Sequence, residues 1–188
     1  MTKVFVADIA LIGENLTEFY DRISPYRQNK IQKLKNVDDQ KRSLLAELLL
    51  AKYLGRKPRY TVDANGKPTE EEVEFNFSHS GNVVLCAVSD GPVGADVEKV
   101  REVNLDVAKK FTKDEYESII NAQNPEDKFF ETWVKKESFL KMLGKGIKGG
   151  LDTEIDSSYI FTMCENIEGY KICVCANEPA EVKVVVEI

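Results

Sequence analysis

Histidine is almost absent from this chain: His79 stands alone among 188 residues. A zinc site would need more ligands than the sequence offers. No G-x-S-x-G elbow or Ser-His-Asp set supports acyl chemistry. Cysteine is sparse too, and Cys86, Cys164, Cys173 and Cys175 contain no C-x-x-C pair. Cys173 and Cys175, two apart in an apolar stretch, would share one face of a strand, and all four read as small buried hydrophobes in a reducing compartment. There is no G-x-x-x-x-G-K-[ST] loop, and neither nucleoside triphosphate nor dinucleotide folds find support. No window approaches the ~18 apolar residues of a membrane span. The opening stretch MTKVFVADIALIGENL is broken by Asp8 and reads as a first strand, not a signal peptide. A cytoplasmic protein with no membrane partner is expected.

What remains is an ordinary globular composition, 43% hydrophobic and 31% charged, suited to one domain or two small, closely joined halves. The charge is unevenly spread. Residues 21–59 hold eleven basic and four acidic residues, a local excess of +7 that leaves the remainder at −13 against a net −6. That asymmetry points to an anionic ligand near the N-terminal third, although solvated helix faces would account for many of these side chains. The acidic whole, without interleaved aromatics, argues against nucleic acid as a partner.

Periodicity predicts a strand at 3–9, helices at 14–21 and 25–35, and a strong helix capped by Asp38 or Asp39 that ends at Gly55. Asn65-Gly66 signals a turn. Three strands, 73–77, 83–89 and 93–100, are expected to form an antiparallel meander, with His79 in the first turn. Helices at 104–110, 112–121 and 126–143 follow, then strands at 159–164, 170–176 and 181–188. Short matches recur at a shift of 88 or 89 residues: Leu54-Gly55 on Leu143-Gly144, Cys86-Ala87 on Cys175-Ala176, Ala7-Asp8-Ile9 on Ala95-Asp96-Val97. The expected architecture is therefore α+β: two similar halves, 1–90 and 91–188, each an antiparallel three-stranded sheet with helices, related by a pseudo-twofold axis.

Three clusters carry possible chemistry. Asp96 and Glu98, two apart on a strand, face one way. Like charges so placed repel unless a cation lies between them, and a hard divalent ion fits; a polar strand face with Glu98 paired to Lys99 or Arg101 is the plainer reading. Trp133, Glu137 and Lys141, four apart, line one helix face. Glu137 and Lys141 are either a surface ion pair of little energetic weight or part of a site, Glu137 as a metal ligand or proton acceptor and Lys141 as a phosphate counter-charge. His79, flanked by Ser78, Ser80 and Gly81, is either structural or a phosphate contact.

Taken in order, F-N-F-S-H-S-G at 75–81, G-A-D-V-E-K at 94–99 and W-V-K-K-E-S-F-L-K at 133–141 closely resemble the signature of phosphopantetheinyl transferases. The resemblance is to the larger, pseudo-dimeric type that activates nonribosomal peptide and polyketide synthetases, and it spans roughly Ser24 to Ala176. It implies transfer of 4'-phosphopantetheine from coenzyme A to a serine of an acyl- or peptidyl-carrier protein, with release of 3',5'-ADP. It further implies that Asp96, Glu98 and Glu137 bind magnesium, that Glu137 helps deprotonate the serine, and that Lys141 offsets charge on the phosphates and leaving group. His79 and Ser78 would contact the coenzyme A phosphates. S-P-Y-R-Q-N-K resembles the stretch that meets the 3'-phosphate, which points to Arg27 and Lys30 with Arg42 nearby, and Gly66-Lys67-Pro68 resembles the adenine-side loop. Arg27 stands where lysine is common, and Ala95 where a larger aliphatic is frequent. A monomer is expected. The alternatives are a non-catalytic homologue that only binds coenzyme A or a carrier, and a metal-dependent phosphohydrolase.

Overall fold

The computed structural model describes residues 1–62, 68–145, 150–164 and 167–188. Strand β1 (Thr2–Asp8) is followed by two short 3-10 segments, helix α1 (Pro25–Gln32) and helix α2 (Val37–Leu54). A two-residue pair, β2 (Thr61–Val62) and β3 (Pro68–Thr69), precedes β4 (Glu74–Ser80), β5 (Val83–Ser89) and β6 (Val93–Lys99). Helices α3 (Lys113–Ile120) and α4 (Pro125–Met142) lead to β7 (Ile160–Cys164), β8 (Tyr170–Ala176) and β9 (Ala180–Val184). Among the described residues, no helix is long and apolar enough to cross a membrane.

The fold is mixed α+β. One sheet has the order β4-β5-β1-β9 and a second has the order β6-β8-β7. In both, a strand that precedes the long helix adds antiparallel to the second strand of a later hairpin. The chain's last strand, β9, returns to run parallel beside β1, so the first sheet has four strands with one parallel pair in place of the expected antiparallel three, and it takes a strand from beyond residue 90. Strict alternation sorts the side chains. Val84, Cys86 and Val88 of β5 pack with Leu44, Leu45, Leu48 and Leu49 of α2. Val83, Leu85 and Ala87 face the other way, against Val93, Ala95 and Val97 of β6 and Ile172 and Val174 of β8. A strand buried on both faces reads as a continuous apolar run, as V-V-L-C-A-V does. The four cysteines are free and buried, as their apolar settings imply.

Three local expectations are corrected. The meander breaks at Asp90-Gly91-Pro92, because β6 pairs with the distant strand β8 instead of with β5. His79 lies within β4, paired with Val84, since the hairpin closes on Gly81-Asn82 with Gly81 at φ +54°. Asn36, not Asp38 or Asp39, caps α2 and accepts from both aspartate amides, while Gly55 at φ +65° ends the helix as expected.

The seam between the sheets positions the site. β6 is an edge strand, and no backbone ladder covers the edge it turns toward β4. Side chains do so instead. Asn76 Oδ1, Ser78 Oγ and Ser80 Oγ, alternate residues on one face of β4, accept the amides of Ala95 (3.2 Å), Val97 (3.4 Å) and Lys99 (3.1 Å). An exposed edge is thereby satisfied without a further strand.

Candidate active site

A cleft of about 760 Å³ opens where β4, β6, α1, α2 and α4 meet. Arg27, Lys30, Ser78, His79, Asp96, Glu98, Glu137 and Lys141 all line it, together with Trp133 and Tyr26. The structure thus brings together eight side chains that the sequence singled out from four separate stretches. Arg42 is not among them. Its guanidinium is held by Asp39 Oδ1 (2.6 Å) and the Gly81 carbonyl (2.7 Å). Lys67 lies outside the described residues, and of Pro68 only the backbone pairing with Val62 is described.

The carboxylate end is built by β6 and α4. Gly94 lets them approach, since a Cβ there would collide with the Ser138 carbonyl and the Met142 amide of α4. The helix spacing then sets Glu137 and Lys141 over the strand face that carries Asp96 and Glu98. Lys141 does not pair with Glu137. Its Nζ donates to Asp96 Oδ1 (2.6 Å), Ser78 Oγ (3.0 Å) and the Ala95 carbonyl (3.3 Å). Ser78 also donates to Asp96 Oδ1 (2.8 Å), and Ser80 donates to Glu98 Oε2 (2.8 Å). Arg101 reaches the same Glu98 oxygen at 3.5 Å, so the surface pairing considered for Glu98 is present but marginal.

Two buried oxygens at this end have no hydrogen-bond partner among the described residues: Asp96 Oδ2 and Glu137 Oε1. Burial, and then the neighbouring Asp96 charge, push Glu137 up to about 6, with Lys141 pulling the other way. Three acids therefore share a cleft wall with one lysine among them. Among the described residues, no three His, Cys, Asp or Glu side chains close into a cage around an ion. The donors still fit a hard divalent cation, because magnesium usually takes one or two carboxylates and completes its shell with water and substrate phosphate. The two orphaned oxygens are the kind of donor that such an ion, or a proton, would satisfy.

The opposite end is cationic. The Arg27 guanidinium donates through Nε to Glu47 Oε2 (2.8 Å) and through Nη1 to Ser43 Oγ (3.3 Å), with the pair's side chains 5% and 0% exposed. It also lies 5.3 Å over the Phe77 ring. Lys30 has its ammonium pulled below the ordinary lysine value by burial and by the Arg27 charge. Burial, Arg42 and Lys141 lower His79 in the same way, keeping it a neutral hydrogen-bonding group at neutral pH. This arrangement suits a ligand that brings its own negative charge.

Sequence reasoning missed Glu47, Ser43, Asp39 and the seam residue Asn76. Glu47 had a readable signal: an acid inside the apolar run Leu44–Leu50 must be paired to stay buried. One spacing also needs setting apart. Gly144, Gly146 and Gly149 spell G-x-G-x-x-G. They follow α4, however, whereas a dinucleotide fingerprint follows a strand and opens a helix.

Comparison with known proteins agrees with this geometry. Residues 92–178 match the 4'-phosphopantetheinyl transferase superfamily. The chain is 31% identical to 4'-phosphopantetheinyl transferase Sfp of Bacillus subtilis (strain 168), over 92% of this chain and 90% of that protein. It is 30% identical to 4'-phosphopantetheinyl transferase psf-1 of Bacillus pumilus, over 80% and 72%. It is 38% identical to 4'-phosphopantetheinyl transferase gsp of Aneurinibacillus migulanus, over 66% and 57%.

Proposed function

This chain belongs to the 4'-phosphopantetheinyl transferase family, and on that premise we propose that it moves 4'-phosphopantetheine from coenzyme A to a serine of an apo acyl- or peptidyl-carrier protein. The observation that carries the proposal is the cleft's polarity: two orphaned carboxylate oxygens beside Lys141 at one end, Arg27, Lys30 and His79 at the other. Coenzyme A has matching charge, a 3'-phosphate at its nucleoside and a pyrophosphate one ribose away.

In the proposed reaction the serine oxygen attacks the β-phosphorus of coenzyme A. The bond from that phosphorus to the bridging oxygen breaks, and 3',5'-ADP leaves. The serine proton passes to the Glu137 carboxylate, directly or through a water. A base near 6 is mostly ionised at neutral pH yet retains proton affinity. Lys141 offsets charge on the phosphates and on the leaving oxygen. Arg27 and Lys30 hold the 3'-phosphate, and His79 donates to a phosphate oxygen beside Ser78, whose own proton goes to Asp96. Asp96, Glu98 and Glu137 would hold magnesium, which when bound neutralises the pyrophosphate.

The repeated strand order supports reading the chain as a duplication of two halves about a pseudo-twofold axis, with the site between them. A cytoplasmic monomer is the accompanying reading. The reading as a non-catalytic homologue finds no support, since acids, lysine and histidine all stand in one cleft and the relatives carry transferase names. Intact-protein mass spectrometry tests the proposal. An apo carrier incubated with enzyme, coenzyme A and magnesium gains one phosphopantetheine, and EDTA abolishes the gain. No gain across several carrier types, with coenzyme A still bound, would return the non-catalytic reading.

A further inference from the structure

Ser80 has no role in the reaction as described, yet it repeats an arrangement that Ser78 makes two residues earlier. Each serine oxygen accepts a β6 amide, Val97 for Ser78 (3.4 Å) and Lys99 for Ser80 (3.1 Å). A hydroxyl has one proton to give, and in each case it goes to the carboxylate on the preceding β6 residue: Asp96 Oδ1 from Ser78, Glu98 Oε2 from Ser80, both at 2.8 Å. The effect on the two acids is the same. One oxygen is tied to β4, and the other is left without a hydrogen bond among the described residues: Asp96 Oδ2, buried, and Glu98 Oε1.

We propose that Ser80 is a positioning residue for Glu98, fixing its carboxylate so that Oε1 is presented to a divalent cation in the cleft. This rests on the reading of Glu98 as one of the cation-holding acids. Among the described residues only one other group bonds this carboxylate, Arg101, at 3.5 Å and with its side chain 61% exposed. An exposed pair of that kind holds geometry poorly. Without the Ser80 hydroxyl, the Glu98 carboxylate is free to turn toward Arg101 and solvent. Hydrogen bonds to the ligating group, one step removed from the ion, commonly tune metal affinity 10–100-fold.

The test is Mn2+ titration of the coenzyme A-loaded protein, with free Mn2+ read by electron paramagnetic resonance, on wild type, Ser80→Ala, Ser80→Thr and Glu98→Gln. Coenzyme A affinity in EDTA and melting temperature are measured alongside. Ser80→Ala is expected to weaken Mn2+ binding about tenfold, with coenzyme A affinity in EDTA unchanged, and threonine is expected to restore it. Wild-type Mn2+ affinity in Ser80→Ala, with Glu98→Gln weakened, overturns the proposal. Parallel loss of Mn2+ and coenzyme A affinity that threonine does not restore also overturns it, because the hydroxyl would then only hold the seam. If Glu98→Gln itself binds Mn2+ like wild type, the reading of Glu98 fails first and the role of Ser80 fails with it.

Discussion

The two ends of the cleft solve opposite electrostatic problems. At the cationic end Arg27 already has its acid in Glu47, just as Arg42, outside the cleft lining, has Asp39. At the other end three carboxylates share one lysine, and two buried oxygens are unmatched. The first end matches its arginine within the chain, although the buried Tyr60 hydroxyl beside Arg27 has no hydrogen-bond partner among the described residues. The second is incomplete, and its charges balance only when a cation or a proton arrives. A buried charge left unpaired is costly, so this incompleteness is tolerated where it serves binding or chemistry.

The sharpest way to break the comparison is to neutralise the incomplete end. Asp96→Asn and Glu137→Gln are each expected to slow carrier modification about 10²–10⁴-fold, with far-ultraviolet circular dichroism unchanged. A near-wild-type rate in either variant, by intact-protein mass spectrometry, would remove these acids from the mechanism. Next in size is the cationic end. Glu47→Gln leaves Arg27 buried without its partner, and breaking such a pair costs about 3–5 kcal/mol. For a chain of this length that lowers the melting temperature by roughly 6–20 °C. A melt unchanged within 2–3 °C would mean that Arg27 is a mobile ligand group, not a fixed one. Smaller again is the spacing between β6 and α4. Gly94→Ala forces a methyl against the Ser138 carbonyl and Met142 amide, an overpacking worth about 1–3 kcal/mol. Because α4 carries Glu137 and Lys141 across that contact, transfer should fall more than stability alone explains. Equal activity per folded molecule would separate the contact from the site.

The same contrast explains what the sequence could disclose. Local periodicity reached β4, β5 and the long helices, and it placed Asp96 and Glu98 on one face and Trp133, Glu137 and Lys141 on another. It could not reveal that β6 leaves its chain neighbour β5 for β8, since strand pairing at long range is decided by which faces can be buried together. Nor could spacing alone distinguish a Glu137–Lys141 surface pair from the observed partition, in which Lys141 turns to Asp96 and Glu137 keeps an orphaned oxygen. The motif letters of the site were visible, whereas its supports were not. Glu47 signals only that it needs a partner, and Ser80 looks like the rim of a turn, until the fold brings Arg27 and Glu98 beside them.

The smallest expected effect has the most telling sign. Removing an acid from the cationic end should destabilise the protein, but Glu137→Gln should stabilise the metal-free chain at neutral pH. Burial and Asp96 raise Glu137 to about 6 in the folded state. The folded chain therefore holds that proton more tightly than the unfolded chain does, and stability falls as pH rises from near 4.5 through about 6. Above that window the wild type carries a penalty on the order of 1–2 kcal/mol, which glutamine, being neutral, does not. Thermal melts in EDTA should show wild type and Glu137→Gln close together at pH 4.5 and the variant higher by a few degrees at pH 7.5. Added Mg2+ should narrow the gap by raising the wild type more than the variant, which keeps only two of the three acids. Equal melting temperatures at pH 7.5 without metal would mean that Lys141 already balances Glu137, and the two ends would no longer differ in kind.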